Sequence, residues 1–361
     1  MRATPVLLAA LAATGGAAHS IDHGALAERI VGQLALQRGE RVLLLAAPSE
    51  FAALVEALRT AVPRAGGAVA VRSVGAPGAA ALPDFDAVVV LPGVAAGAPE
   101  YRAAHAALSG RRRAVHFHWR GAEPGLSAWP LPGHPLPADG VVDAVYERAV
   151  LGSDCAALGR VMRRFEAALR KGEGRVTTPA GTDLRFRIGD RPVNVQDGDA
   201  SAARAGRARV RVDRDVELPC GVLRVAPLEE TVSGVVAFPP ARWADRPVEG
   251  LKLRFERGRV VEITAAGGRE GVEAEIQGGG GAARSFREFA LGFNPALAVP
   301  ERAPWIPYYG YGAGVVRLSL GDNTELGGSV SGGYVRWNFF TDATVRVGGE
   351  AWVVEGALAA R

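Results

Sequence analysis

The residues best placed to do chemistry lie in two glycine-bounded segments, Gly314-Val-Val-Arg-Leu-Ser-Leu-Gly321 and Gly333-Tyr-Val-Arg-Trp-Asn338. Each sets one arginine in an apolar run, and the second adds Asn338 two residues after Arg336. A guanidinium has N–H donors and no lone pair, so Arg317 and Arg336 cannot ligate zinc or cobalt, and Asn338 offers only a weak amide donor. What arginines do well is hold carboxylates or phosphates through paired hydrogen bonds. Tyr308, Tyr309, Tyr311, Tyr334 and Trp337 could wall such a site with apolar rings carrying polar tips. The expectation is a cleft for a small anionic or peptide-like ligand. The competing reading is structural: Arg317 paired with Glu288, and Arg336 with another acid, as buried ion pairs.

Covalent catalysis has little support. Cys220, Ser233, Ser319 and Ser331 are the nucleophile candidates, none has a histidine nearby in sequence, and no Gly-x-Ser-x-Gly elbow occurs. Ser329-Val-Ser331 reads as a hairpin loop. No catalytic residue is assigned. All six histidines lie in the first half. His116-Phe-His118 puts two imidazoles on one face of a strand, a spacing that can ligate a metal; the plainer reading is polar ends of a strand at the sheet's edge.

These segments need a scaffold, and 361 residues at 48% hydrophobic and 22% charged suffice for two ordinary cores. The net charge of +4 is a near cancellation of 42 positive and 38 negative groups, with Lys171 and Lys252 the only lysines. Arg204, Arg207, Arg209, Arg211 and Arg214 cluster, but no interleaved aromatics or nucleic-acid motif accompany them, so no nucleic-acid partner is expected. Pro5 to Ala13 is an apolar run after Arg2, followed by small residues at Gly16-Ala17-Ala18, which suits an export signal over residues 1–18. A frayed apolar tail or a misassigned start is the alternative. The run is too short for a bilayer, and no membrane span is expected. A periplasmic or secreted location follows, with the cytoplasm as alternative. Cys155 sits in a helical pattern and Cys220 in a turn; two cysteines neither require nor exclude an oxidising compartment, and their pairing stays open.

From Ile21 the pattern alternates helix and strand. Asp22 can cap a helix with Leu26, Ile30, Val31 and Leu34 on one face. Arg41 to Leu45 reads as a buried strand, Ser49 to Val62 as a helix, and Val69 to Val74, Asp86 to Leu91 and Ala114 to Trp119 as further strands. This predicts a Rossmann-like parallel-sheet α/β domain over residues 19–172. The turn Ala46-Ala-Pro-Ser49 lacks a glycine-rich phosphate cradle, so the sheet is expected to be a scaffold. Gly140 to Gly172 looks helical, with Leu158, Val161, Met162, Phe165 and Leu169 as a core stripe. After Gly174 alternating strands predict a mainly antiparallel, β-rich α+β domain over 173–361: Arg175 to Thr178, Leu184 to Ile188, Arg209 to Val212, Gly234 to Phe238, Leu251 to Glu256 and Arg259 to Ala265. Gly278 to Gly281 reads as a flexible loop.

Several of these segments together resemble the thermophilic aminopeptidase family, the leucyl aminopeptidase (aminopeptidase T) type of metallopeptidase. Val176-Thr-Thr-Pro-Ala-Gly-Thr-Asp-Leu184 is similar to its T-x-P-x-G-T-D-L turn, and Leu218-Pro-Cys-Gly-Val-Leu-Arg-Val-Ala-Pro227 to its L-P-x-G-E-V-F-T-A-P segment, with Thr231-Val-Ser-Gly234 following. Phe255-Glu-Arg-Gly-Arg-Val-Val261 and Arg287-Glu-Phe-Ala-Leu-Gly-Phe-Asn294 resemble F-E-x-G-x-V and G-E-x-x-I-G-x-N. Gly39-Glu-Arg-Val-Leu and the first helix fit the family's opening. The resemblance spans roughly Ile21 to Val354.

It implies a homodimer and two divalent metal ions held by two glutamates, two histidines and an aspartate. Carried over by position, the second glutamate is Glu288. Val222 stands for the first, Arg317 and Arg336 for the histidines, and Asn338 for the aspartate. Thr324 occupies the family's tyrosine position. The ring-cleaving dihydroxypyridine dioxygenases share the His, His, Asp frame for iron and are disfavoured for the same reason. The family's metals are therefore expected to be lost and no cofactor is assigned. The alternative is an active metal-dependent aminopeptidase, releasing N-terminal residues from peptides, that recruits Asp322, Glu325 or Glu229 beside Glu288. The binding set is Glu288, Arg317, Arg336, Asn338, Tyr309 and Trp337.

Overall fold

The computed structural model describes residues 19–47, 51–75, 82–119 and 128–359. The export run lies outside these residues, as do the start of the helix placed from Ser49 and part of the turn after the first strand. Asp22 caps the helix His23–Leu34 by accepting from the Ala25 amide, and Leu26, Ile30, Val31 and Leu34 are buried. The expected alternation then produces a parallel sheet. Its strands are Ala68–Ser73, Arg41–Ala46, Ala87–Val90, Arg113–Phe117 and Asp215–Leu218, in that spatial order. Burial of nearly all of Arg41–Ala46, Ala87–Val90 and Arg113–Phe117 reflects helices and chain on both faces.

The fifth strand comes from beyond residue 172. Asp215–Leu218 was not assigned from the sequence, and it pairs in parallel with Arg113–Phe117. Its insertion makes Arg113–Phe117 an interior strand, which corrects the reading of His116 and His118 as polar ends at a sheet edge. The segment Arg209 to Val212, read as a strand, is instead a loop entering the 3₁₀ turn Arg211–Arg214. Gly278 to Gly281 also departs from expectation: these glycines lie in and between the helices Arg269–Gly278 and Gly280–Ala283. The helical stretch from Gly140 is two helices, Asp139–Gly152 and Cys155–Lys171, the second capped by Asp154.

Two antiparallel sheets follow. One runs Arg259–Thr264, Lys252–Glu256, Ser233–Ala237, Asp183–Phe186, Gly174–Thr177, Thr344–Val347, Glu350–Val354, Ala357–Leu358. The other runs Val335–Arg336, Val316–Gly321, Phe286–Gly292, Val222–Val225, Val193–Gln196, with Phe339–Phe340 also on Val316–Gly321. They share one apolar core: Leu223, Val225, Phe289, Leu291, Val316 and Leu318 from the second meet Leu184, Phe186, Val236 and Leu253 from the first. The chain is thus a mixed α/β fold with one parallel sheet and an antiparallel β-rich part.

Cys155 and Cys220 form a disulfide that ties the helix Cys155–Lys171 to the turn entering Val222–Val225. At that turn Gly221 has φ +126°, and a Cβ there would lie 2.5 Å from Asn294 Cβ, so the close approach requires glycine.

Candidate functional site

Period-two alternation turns one face of the second antiparallel sheet away from that core. Arg224 is opposite Ala290, Ala290 is opposite Arg317, and Glu288 is opposite Ser319. The register therefore lays Arg224, Ala290 and Arg317 in one row across three strands, with Glu288 and Ser319 in the next. These are buried: Arg224 is 5% exposed, Arg317 2%, and Glu288 and Ser319 0%.

Glu288 is surrounded by cations. Arg317 Nε stands 2.9 Å from its Oε1, a charge contact without the alignment of a hydrogen bond. Arg224 Nε donates to Oε2 at 3.2 Å, and the Ser319 hydroxyl donates to Oε1 at 3.1 Å. Burial pushes this carboxyl up, but Arg317, Arg224 and Arg287 outweigh it and hold Glu288 well below the ordinary carboxylate range. Arg317 Nη1 also donates to the Tyr309 carbonyl at 2.9 Å, and its guanidinium lies 5.6 Å from the Trp337 ring centre.

The cluster extends toward the parallel sheet. Arg224 donates to Glu325 at 2.8 Å and approaches Glu217 at 3.8 Å; Arg287 donates to the same Glu325 oxygen. The Tyr311 hydroxyl bonds Glu217. Burial, opposed by Arg224, pushes the Glu217 carboxyl up to about 7. Beside it His105 and Asp215 pair at 2.6 Å. Burial disfavours both charges, but the bond raises His105 and lowers Asp215, so each favours the ionised form of the other. His116 and His118 stack at 3.8 Å between ring centres, and burial lowers both, His118 strongly, so neither carries charge at pH 7.

The six residues singled out from the sequence do not share one cavity. Glu288 and Arg317 belong to the buried cluster, with Tyr309 contributing its carbonyl. Arg336, Trp337 and Asn338 line a separate cavity of about 520 Å³ walled by Trp129, Phe238, Ile306 and Phe339. Arg336 is committed there too: it donates to Glu275 at 2.8 Å, to the Arg242 carbonyl at 2.9 Å and to Asn338 at 3.2 Å, and lies 3.6 Å over the Trp243 ring. Trp337 touches both regions, packing on Tyr309 and Trp129. Arg224, Arg287, Glu217 and the His105–Asp215 pair were missed. The one available signal was a charged residue inside an apolar strand, as at Leu223-Arg-Val225.

The donor set does not fit the metal pair that the family resemblance implies. Val222 has no donor atom, Arg317 and Arg336 are cations, and Asn338 spends its amide nitrogen on the Leu318 carbonyl at 3.1 Å. The substitute carboxylates are engaged elsewhere. Asp322 accepts from Thr324, Gly332 and Gly333, Glu229 from Asn323 and Ser329 while pairing with Arg191, and Glu325 serves two arginines. Among the described residues no three His, Cys, Asp or Glu side chains are grouped to hold a metal.

No described helix is long and apolar enough to cross a membrane. No curated protein matches the chain. Among solved structures, it is similar to 2,5-dihydroxypyridine dioxygenase from Pseudomonas putida KT2440, with TM-score 0.65 and 16% identity over 94% of this chain and 97% of that one. It is also similar to wild-type AmpT from Thermus thermophilus, with TM-score 0.57 and 18% identity over 94% of this chain and 99% of that one. These likenesses establish the fold. The family model described as thermophilic metalloprotease (M29) matches residues 170–298, the stretch holding most of the ordered motifs and Glu288. Residues 170–298 thus match the thermophilic metalloprotease (M29) family model, within a fold that the whole chain shares with AmpT.

Proposed function

We propose that this chain is an aminopeptidase-type fold that has exchanged its metal centre for an arginine–carboxylate cluster, and that it binds a small anionic or peptide-like ligand without hydrolysing it. The observation that carries the exchanged metal centre is the 2.9 Å contact between Arg317 and Glu288, with side chains 3% and 0% exposed. A guanidinium thus consumes the one carboxylate retained from the family's ligand positions. The positive charge that a metal pair would supply is present, but a guanidinium offers no open coordination position and lowers no bound water's pKa. The cavity beside Trp337 supports the binding half, since a largely apolar concavity with a few polar groups is the usual form of a ligand pocket.

The test combines elemental analysis with turnover. The purified chain, incubated with zinc or cobalt and dialysed, is expected to retain no stoichiometric metal and to leave aminoacyl-anilides intact. Hydrolysis by the wild-type chain that disappears in a Glu288→Gln variant defeats the proposal.

We further place the protein outside the cytoplasm. The Cys155–Cys220 disulfide supports this, as does the apolar run near Met1 that suits export.

A further inference from the structure

Glu325 is the exposed member of the buried cluster, and the arginines beneath it are not. Its side chain is 43% exposed, while those of Arg224 and Arg287 are 6% and 4% exposed. A single carboxylate oxygen, Glu325 Oε1, accepts from Nη2 of both arginines. Arg287 meanwhile keeps its Nε buried without a hydrogen bond among the described residues. Nε and Nη2 form one edge of a guanidinium, the edge that grips two oxygens of an oxyanion side by side. Glu325 fills half of that fork.

We propose that Arg224 and Arg287 form a binding site for a small oxyanion, a carboxylate or a phosphate, and that the Glu325 side chain closes it as a displaceable internal stand-in. The proposal rests on the reading above, in which the arginine cluster binds rather than supports metal chemistry.

The turn carrying Glu325 is held on both sides, so the acid can leave without unfolding. Asn323 is fully buried, donates to Glu229 at 3.0 Å and accepts from the Val330 amide at 2.8 Å. Leu326 packs with Val212 and Ala226. Between these anchors only the Glu325 side chain need rotate, an exposed rotamer change that is fast on the scale of binding. Once it swings out, Arg224, Arg287 and Arg317 face Glu288 and Glu217. Asp215 is bonded by His105, and Glu217 by Tyr311. The centre is then left with excess positive charge and an empty fork, the conditions for anion capture in a low-dielectric site.

The experiment compares the full wild-type chain with Glu325→Gln, titrating inorganic phosphate and acetate by calorimetry. Removing the competing charge while keeping the side chain's size is expected to tighten at least one anion by about tenfold or more, the scale of a lost charge-assisted hydrogen bond. Preference for phosphate or for acetate assigns the ligand's class. Adding Arg287→Met to Glu325→Gln should abolish the gain. Should Glu325→Gln fail to fold, the Nε resonance of Arg287 in the wild-type chain, expected to move on phosphate or acetate addition, decides the question. Unchanged affinity in a folded Glu325→Gln, or an unmoved resonance in the wild type, overturns the proposal. Metal uptake with turnover by the wild-type chain defeats the proposed function instead, so the two failures are told apart.

Discussion

Replacing Arg317 by methionine separates a structural arginine from a ligand-binding one. The side chain is 3% exposed and faces Glu288, which is 0% exposed. Removing one partner of a buried ion pair costs about 3–5 kcal/mol because the other charge stays buried. Glu288 would keep Arg224 at 3.2 Å and the Ser319 hydroxyl at 3.1 Å. That places the expected loss at the low end, about 3 kcal/mol, or roughly a hundredfold in the folded-to-unfolded ratio. Urea unfolding at pH 7 reads it as a lowered midpoint with unchanged slope.

A double-mutant cycle with Glu288→Gln should return a coupling of about 2 kcal/mol, since the two side chains are in contact. The pH dependence follows from the depressed carboxyl. A group whose folded pKa is lowered contributes stability that is complete above its ordinary value of 4.5 and is lost as pH falls toward the folded value. Arg317→Met raises the folded value, so it shrinks this contribution and narrows its acid window. If Arg317→Met stays within about 0.5 kcal/mol of wild type, or the cycle is additive, Arg317 is not a structural partner of Glu288.

Three further outcomes are expected. Glu217 is raised to about 7 from an ordinary 4.5 and His105 is raised above 6.5, so the folded state holds extra protons at both. Stability from each therefore falls as pH rises, between about 4.5 and 7 for Glu217 and from the unfolded value upward for His105. Glu217→Gln and His105→Gln should each flatten that fall in urea midpoints taken across pH 5 to 8; parallel curves contradict it. Unfolded, unreduced protein should show no free thiol, and Cys155→Ser with Cys220→Ser should cost about 4 kcal/mol, the loop-closure scale for a separation of 65 residues. Arg336→Met should cost about 1 kcal/mol, a modest figure because Arg336 and Glu275 are each 18% exposed. It should also shift tryptophan fluorescence as Trp243 loses the overlying guanidinium; unaltered emission contradicts that placement.

Local pattern alone determined much of this protein. Asp22 before a helical stripe, the buried run at Arg41 and the change to alternation after Gly174 each became the element their periodicity implied, because apolar spacing dictates which face is buried. Residue type likewise determined that Val222, Arg317 and Arg336 cannot ligate metal, since no fold gives these side chains a free lone pair. The partners were another matter. Nothing in the order of residues says that Arg224 and Arg317 fall in one row; strand register does, through Ala290. Glu288 and Arg224 are far apart in sequence and meet only because Val222–Val225 lies against Phe286–Gly292. Asp215–Leu218 carries no strand signal of its own; a parallel neighbour, Arg113–Phe117, supplies its hydrogen bonds, and that pairing puts His116 on an interior strand and brings Asp215 to His105. The pairing of Cys155 with Cys220 also waited on a helix start and a glycine turn reaching one place. Side-chain chemistry is written residue by residue, whereas proximity depends on sheet pairing, and only the folded chain decides which charges meet.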